Sequence, residues 1–152
     1  MDFENRKWRG RIFRYAPFFL WLGIIVYNSS SQASMSETSR FIRPLLEFLF
    51  PQASEQTLSI LHGYIRKFAH LAEYSMLAFL ASRAFWGSRI QGLRKYWPVW
   101  AMAIVLLVAP MDEINQSFDP SRTGSIYDVI LDCIGGFLAV CSLAVYKRSR
   151  NN

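Results

Sequence analysis

Four long apolar segments alternate with polar stretches along this chain of 152 residues. The segments cover approximately residues 12–27, 64–85, 97–115 and 127–146. With their flanking interfacial residues, they are long enough to cross the hydrocarbon core of a bilayer as helices. The pattern therefore predicts an all-α integral membrane protein, in which residues 1–152 form a single domain built as a bundle of four transmembrane helices.

The first apolar segment follows a strongly basic start, with five Lys or Arg among the first fourteen residues. A basic start, an apolar run and small residues at 31–33 are also typical of a cleaved secretory signal peptide. We favour a retained helix because further spanning segments follow it.

Residues 28–63 form the predicted outer loop between the first two spans. Residues 28–39 are serine-rich and lack apolar periodicity, which is typical of a loop. Residues 41–50 are apolar but too short to span, and the proline and two charges among them favour a short outer interfacial helix. A packed loop is the alternative. Ser54 is a suitable N-cap for a helix that runs to about Phe85 and projects beyond the membrane.

Composition and charge narrow the class of protein. The chain is 52% hydrophobic and 18% charged, which excludes an intrinsically disordered chain and disfavours a soluble domain. Its net charge is +6, but the basic residues lie at the ends of apolar segments, so we expect contact with lipid headgroups and no nucleic acid. Twelve of the 17 Lys and Arg lie near the N-terminus, in residues 83–96 and near the C-terminus. The positive-inside rule then predicts cytoplasmic N- and C-termini.

Ionisable residues within or beside the spans are the most informative feature, because each charge at the membrane centre costs at least ~2.5 kcal/mol. In the predicted arrangement they all fall in the outer half of the membrane. We expect an outward-facing polar site lined by Lys67, His70, Glu73, Tyr74, Asp112, Glu113, Gln116, Arg122, Asp128 and Asp132. The alternative is a structural role, in which these side chains snorkel to headgroups, cap helices or form ion pairs.

Within this set, His70, Glu73, Asp112 and Glu113 are the candidates for acid–base catalysis. The sequence contains no Ser nucleophile motif, no Cys-x-x-Cys and no His-Glu-x-x-His. We assign no metal site and no cofactor from the sequence, although the carboxylates also suit a divalent cation. An enzyme and a binding protein are both compatible with this set.

Two sequence blocks resemble the VanZ-like family of bacterial membrane proteins. The blocks are residues 66–74 (RKFAHLAEY) with Leu77, and residues 112–122 (DEINQSFDPSR) followed by Asp128, Asp132 and Gly135. The family pattern has Asn at the position of Asp132, so this chain carries one more acid there. The resemblance implies a multi-pass protein of the bacterial cytoplasmic membrane. The founding member is an accessory determinant of resistance to the lipoglycopeptide teicoplanin, and the family has no defined biochemical activity.

The site and the resemblance together favour a non-enzymatic envelope protein that binds an amphiphile and lowers susceptibility to lipoglycopeptides such as teicoplanin. The expected partners are membrane lipids or a lipid-linked cell-wall precursor, and a lipoglycopeptide itself is a further candidate. The main alternative is a membrane enzyme that acts on a lipid-linked substrate by His and carboxylate acid–base or metal-assisted chemistry. Proton or ion translocation and a purely structural subunit rank below these two hypotheses.

Overall fold

The computed structural model describes residues 2–29, 35–118 and 124–151, with side chains for 10–29, 40, 42–118 and 124–150. Within these ranges the backbone forms six α-helices and no β-strand, which confirms the all-α prediction. The helices are α1 (Asp2–Ser29), α2 (Met35–Leu49), α3 (Glu55–Trp86), α4 (Gln91–Lys95), α5 (Trp97–Ser117) and α6 (Ile126–Asn151).

Local hydrogen bonding explains where α3 begins and ends. Ser54 has an extended backbone, and its hydroxyl accepts a hydrogen bond from the Thr57 N–H at 3.2 Å, as predicted for an N-cap. The helix ends at Trp86, and the N–H of the C-cap residue Gly87 donates to the Arg83 carbonyl at 3.3 Å. α5 begins soon afterwards with Pro98 in its first turn, where the missing N–H costs no hydrogen bond.

α3 is the central helix of the bundle and contacts each of the other five helices. Its buried apolar residues in the middle and second half are Tyr74, Leu77, Ala78, Ala81 and Ala84. α5 presents Ala101, Val105 and Ala109, which are spaced four residues apart and therefore share one face. Small side chains on both helices allow close approach, which increases van der Waals contact where lipid supplies no hydrophobic driving force.

Two adjacent glycines set the position of α6 against two neighbours. A Cβ built at Gly135 would lie 2.5 Å from the Leu71 carbonyl oxygen of α3, and one at Gly136 would lie 2.9 Å from the Val105 methyl groups of α5. The Ser75 hydroxyl donates to the Leu71 carbonyl at 2.7 Å and lies 3.0 Å from the Gly135 carbonyl. α6 therefore contacts α3 and α5 tightly at the same level of the bundle.

The outer region differs from the prediction. The predicted loop at 28–39 is wrong at both ends, because α1 continues to Ser29 and α2 begins at Met35. Serine and threonine disfavour a helix by only a few tenths of a kcal/mol each. The helix that the apolar residues in 42–49 favour can therefore begin earlier, within the serine-rich stretch. The predicted short outer helix is present as α2, and residues 30–34 lie outside the described part of the chain.

α2 is joined to α3 by an ion-pair network on the surface. The Arg43 guanidinium contacts the Glu47 carboxylate on its own helix at 2.9 Å and the Glu55 carboxylate in the first turn of α3. Among the α2 side chains that the structure describes, Leu46 is the buried apolar one. In the predicted connection 83–96, the chain also forms the short helix α4, which the sequence pattern did not indicate.

Two of the described helices, α5 (Trp97–Ser117) and α6 over Ile126–Arg150, are long and apolar enough to cross a membrane. α1 and α3 are longer than needed, but α1 begins with basic residues and α3 carries ionisable residues through its middle. Large apolar side chains are exposed on all four helices, among them Phe19, Leu20, Phe68, Leu106, Leu107 and Phe137. An exposed apolar surface of this extent is typical of contact with lipid or with another protein.

Replacing Gly135 with alanine is expected to lower the thermal unfolding midpoint of the purified protein in detergent. The added methyl group meets the backbone of α3, which cannot rotate aside as a side chain can, and such overpacking costs about 1–3 kcal/mol. Gly63→Ala is the matched control, because a Cβ at Gly63 meets nothing within 4 Å. The midpoints are read from tryptophan fluorescence. Equal midpoints for the two variants would contradict the close contact of α6 with α3.

Candidate functional site

One end of the bundle gathers polar side chains from three helices. The end of α5 and the start of α6 lie side by side there, and the middle of α3 packs against both. Asp112 lies three residues after the buried Ala109, and Asp132 lies four residues before the buried Gly136. Helical periodicity therefore turns both acids toward the interior, where they meet His70 of α3.

His70, Asp112, Glu113 and Asp132 form a compact group, which we call the buried cluster. One side-chain ligand atom from each residue lies within 4.8 Å of the others. The exposed fraction is 9% for His70, 6% for Asp112, 5% for Glu113 and 0% for Asp132. Since an ionised carboxylate loses several kcal/mol of solvation on burial, three acids in one buried group require strong compensation from their surroundings.

Two hydrogen bonds hold the carboxylates of α5 in place. The Tyr74 hydroxyl, on the fully buried face of α3, donates to Asp112 Oδ2 at 3.0 Å. The Ser125 backbone N–H, just before α6, donates to Glu113 Oε2 at 2.8 Å. Each bond fixes one oxygen of its carboxylate and leaves the other oxygen directed elsewhere.

Several buried polar atoms of the cluster have no hydrogen-bond partner among the described residues. They are His70 Nδ1, Asp112 Oδ1, Glu113 Oε1 and both carboxylate oxygens of Asp132. His70 Nδ1 lies 3.4 Å from Asp132 Oδ1, which is ion-pair distance but outside good hydrogen-bond geometry. Unsatisfied groups at this density are uncommon in folded proteins, so they mark the cluster as a candidate ligand site.

Cationic and amide side chains form the rim of the site. Lys67 Nζ lies 3.1 Å from Asp128 Oδ1, and the Lys67 side chain is 55% exposed while that of Asp128 is 12% exposed. Arg66 donates from Nη2 to Gln116 Oε1 at 3.2 Å. The rim therefore carries positive charge at the surface, above the acidic interior of the site.

Glu73 lies beside the cluster and contacts α1 instead. Its carboxylate accepts a hydrogen bond from Asn28 Nδ2 at 3.1 Å, and its backbone carbonyl accepts one from Trp21 Nε1 at 3.0 Å. These two bonds attach α1 to α3. The face of α3 that carries ionisable residues thus serves two purposes, because His70 enters the cluster and Glu73 anchors a neighbouring helix.

A groove between α1 and α5 adjoins the cluster; we call it the α1–α5 groove. It has a volume of about 510 Å³ and is lined by Leu22, Ile25, Val26, Ser29, Val108, Met111, Asp112, Ile114, Asn115 and Phe118. Its polar residues are linked, since Ser29 Oγ donates to the Asp112 carbonyl at 3.4 Å and Asn115 Nδ2 donates to Ser29 Oγ at 3.0 Å. The α1–α5 groove and the buried cluster thus meet at Asp112.

The comparison with known families agrees with the sequence blocks. A family model described as VanZ/LLP1 matches residues 15–147. The chain belongs to the VanZ/LLP1 family. No curated protein and no solved structure matches it. Family membership and the two apolar helices indicate a membrane protein.

The structure of this VanZ/LLP1 chain brings most of the predicted site residues to one end of the bundle. His70, Tyr74, Asp112, Glu113 and Asp132 lie at its centre. Lys67, Gln116 and Asp128 form its rim. Glu73 is turned toward α1, and Arg122 lies outside the described residues.

Sequence reasoning missed the contributions of Ser29, Asn115 and Ser125. Asn115 stands inside the VanZ-like block three residues after Asp112, on the same side of α5, and Ser29 is one of several serines in a polar stretch. Ser125 acts through its backbone N–H, which no side-chain pattern reveals. The signal available in the sequence was the presence of Asn115 between two predicted site residues.

Exchanging the charges of Lys67 and Asp128 tests whether these two rim side chains interact. Each single reversal, Lys67→Asp or Asp128→Lys, places like charges together and is expected to lower the unfolding midpoint. The double variant should recover part of the loss, with a coupling energy of about 0.5–1 kcal/mol because Lys67 is half-exposed. A double-mutant cycle of thermal unfolding measures this coupling. Strictly additive effects would show that the two side chains do not interact.

Proposed function

We propose that this VanZ/LLP1 protein crosses the bacterial cytoplasmic membrane four times and binds an amphiphile at its outward-facing end. The amphiphile is a lipid or a lipid-linked cell-wall precursor. The observation that carries the proposal is the meeting of an apolar groove with a buried charged cluster at Asp112. In this proposal part of an acyl or prenyl chain lies in the groove, while the headgroup reaches the polar end.

The two parts of the site have different roles in binding. Because lipid tails are as apolar as the residues of the α1–α5 groove, moving a chain from bilayer to groove gains little hydrophobic free energy. The groove therefore positions the chain, and the headgroup supplies most of the selectivity. Lys67 at the rim suits a phosphate or carboxylate, while the acids within suit an amine or sugar hydroxyls.

The distribution of charge supports the proposed orientation. The end opposite the cluster carries Arg94, Lys95 and Lys147 around a stacked pair of Trp86 and Trp97. The Lys147 ammonium lies 4.7 Å from the centre of the Trp86 ring. Basic residues and interfacial tryptophans together are typical of the cytoplasmic membrane surface. In this arrangement the cluster faces outward and both termini are cytoplasmic.

α1 and α3 complete the four proposed spans. The ionisable residues in the middle of α3 are used inside the bundle or at its rim, so they need not face lipid. α3 has 32 residues, or about 48 Å at 1.5 Å per residue, so its first turns project beyond the hydrocarbon core. α2 is joined to that projecting part through Arg43 and Glu55.

Single cysteines test the topology in a Cys133→Ala/Cys141→Ala background. A thiol introduced by Gln52→Cys should react with a membrane-impermeant maleimide in intact spheroplasts, whereas one introduced by Gln91→Cys should react only after lysis. The two positions flank α3 and lie on opposite sides only if α3 crosses the membrane. Labelling of both positions from outside would refute the α3 span, and reversed labelling would refute the orientation.

Filling the α1–α5 groove should reduce lipid binding. Val26→Trp places a large side chain in the groove, and Val145→Trp adds the same bulk at an exposed position near the end of α6. Native mass spectrometry of the detergent-purified protein with undecaprenyl phosphate should show at least fivefold lower retention for Val26→Trp and unchanged retention for Val145→Trp. Lys67→Met should weaken retention of undecaprenyl phosphate more than that of uncharged undecaprenol.

The same pair of variants links binding to the antibiotic phenotype that the VanZ-like resemblance implies. Expression of the wild type and of Val145→Trp should raise the inhibitory concentration of teicoplanin, and expression of Val26→Trp should not.

Equal lipid retention by both tryptophan variants would exclude the groove as the binding site.

A membrane enzyme acting on a lipid-linked substrate is the second candidate. It is favoured by the close approach of an imidazole and three carboxylates, which are the groups used for acid–base chemistry. The lipid experiment separates the candidates. A retained lipid of constant mass supports binding, whereas a time-dependent change in lipid mass that requires His70 supports catalysis.

A further inference from the structure

We propose that His70, Asp112, Glu113 and Asp132 bind a divalent transition-metal ion of the Zn²⁺ or Mn²⁺ type. The four side chains come from three helices and offer one nitrogen and three carboxylate ligands within 4.8 Å of one another. The site rests on these residues alone and does not depend on the proposed binding of lipid.

The negative charge of the buried cluster favours a bound cation. Three acids are buried together, and the nearby cation Lys67 pairs with Asp128 instead of with a cluster carboxylate. Buried carboxylates are stable only when they are neutralised, paired or bound to a metal. A divalent ion at the centre would offset most of the negative charge that these described residues carry.

The individual carboxylate oxygens of Asp112 and Glu113 also favour a metal ion. In Asp112, Oδ2 accepts from Tyr74 while Oδ1 has no partner among the described residues, and in Glu113, Oε2 accepts from Ser125 while Oε1 has none. One oxygen of each carboxylate is thus anchored and the other is free. This is the arrangement of metal-binding carboxylates, whose second oxygen is hydrogen-bonded to fix the direction of the ligand.

Among the four residues, Asp132 gives the strongest indication of a bound metal ion. Its side chain is fully buried, and neither carboxylate oxygen has a hydrogen-bond partner within the described ranges. His70 Nδ1 faces Asp132 Oδ1 at 3.4 Å, and it too has no hydrogen bond there. Because the Asp132 carboxylate and the His70 imidazole face each other without a good hydrogen bond, both are placed to bind the same metal ion.

The dimensions and the donor set narrow the identity of the ion. Ligands at about 2.1 Å from one metal lie about 3.4 Å apart in a tetrahedral site and at most about 4.2 Å apart in any geometry, so binding would shorten the widest separation of 4.8 Å by at least about 0.6 Å. An imidazole nitrogen favours Zn²⁺ or another transition metal, while several carboxylates favour Mn²⁺. Mg²⁺ and Ca²⁺ prefer oxygen ligands alone, so we expect weaker binding of both.

Metal content and metal-dependent stability test the site directly. The full-length protein in detergent is stripped with EDTA and then titrated with Zn²⁺ or Mn²⁺, with Mg²⁺ as the comparison. We expect one ion per chain by elemental mass spectrometry, and a rise in the unfolding midpoint with Zn²⁺ or Mn²⁺ that Mg²⁺ does not match. Bound Mn²⁺ should also lose the electron paramagnetic resonance spectrum of the free ion.

Matched variants assign the ion to the cluster. His70→Ala and Asp132→Ala should each lower metal affinity at least tenfold. His62→Ala removes the other histidine of the chain and should bind as the wild type does. Glu73→Gln removes an acid that is held by Asn28 outside the cluster and should likewise retain the ion.

Two results would overturn the proposal. One is less than a tenth of an ion per chain in the titrated wild-type protein. The other is equal affinity in His70→Ala, Asp132→Ala and the two controls. If the cluster variants do not fold, the metal-dependent midpoint of the stripped wild-type protein decides alone. Because these tests use no lipid, their result for the ion is the same whether or not the proposed lipid function holds.

Discussion

Burial of three carboxylates and an imidazole between apolar helices is the constraint on which the rest of this structure depends. Each ionised group removed from water costs several kcal/mol unless its surroundings replace the lost solvation. Tyr74 and the Ser125 backbone provide part of that replacement, and each comes from a different helix or connection than the acid it contacts. The site is therefore complete only when α3, α5 and α6 are docked in one register, which ties the chemistry of this end to the folding of the whole bundle.

The central helix combines two kinds of surface along its length. From Leu77 onward, α3 presents mainly leucine and alanine to its neighbours, with Ser82 as a buried polar residue among them, so the helices approach closely. Around His70 the same helix presents ionisable and hydrogen-bonding groups. The proposed binding of an amphiphile would use both surfaces, because the apolar part of a ligand and its headgroup require opposite environments within a few ångströms. Asp112, shared by the groove and the cluster, is the residue at which the two environments meet.

Much of the cluster was predictable from the sequence because two simple rules apply to it. Helical periodicity turns Asp112 and Asp132 toward the buried face of their helices, and consecutive membrane helices place the end of one beside the start of the next. The start of α2 was not predictable in this way, since serine-rich sequence is compatible with both loop and helix. The groove was not predictable either, because it depends on how α1 and α5 are inclined to each other. In Glu113, Oε2 is the hydrogen-bonded oxygen because the backbone N–H of Ser125 lies beside it. The path of the backbone at Ser125 cannot be predicted from residue types.

The glycine pair of α6 has a mechanical consequence for the site. Gly135 lies less than one helical turn after Asp132, and it rests on the backbone of α3 while Gly136 rests on Val105. A helix confined on two sides in this way has little freedom to slide or to rotate. The position of Asp132 is therefore set by a closely packed part of α6, and we expect its thermal fluctuations to be small. Much of the entropy cost of ordering the Asp132 side chain is therefore incurred during folding and not during ligand binding.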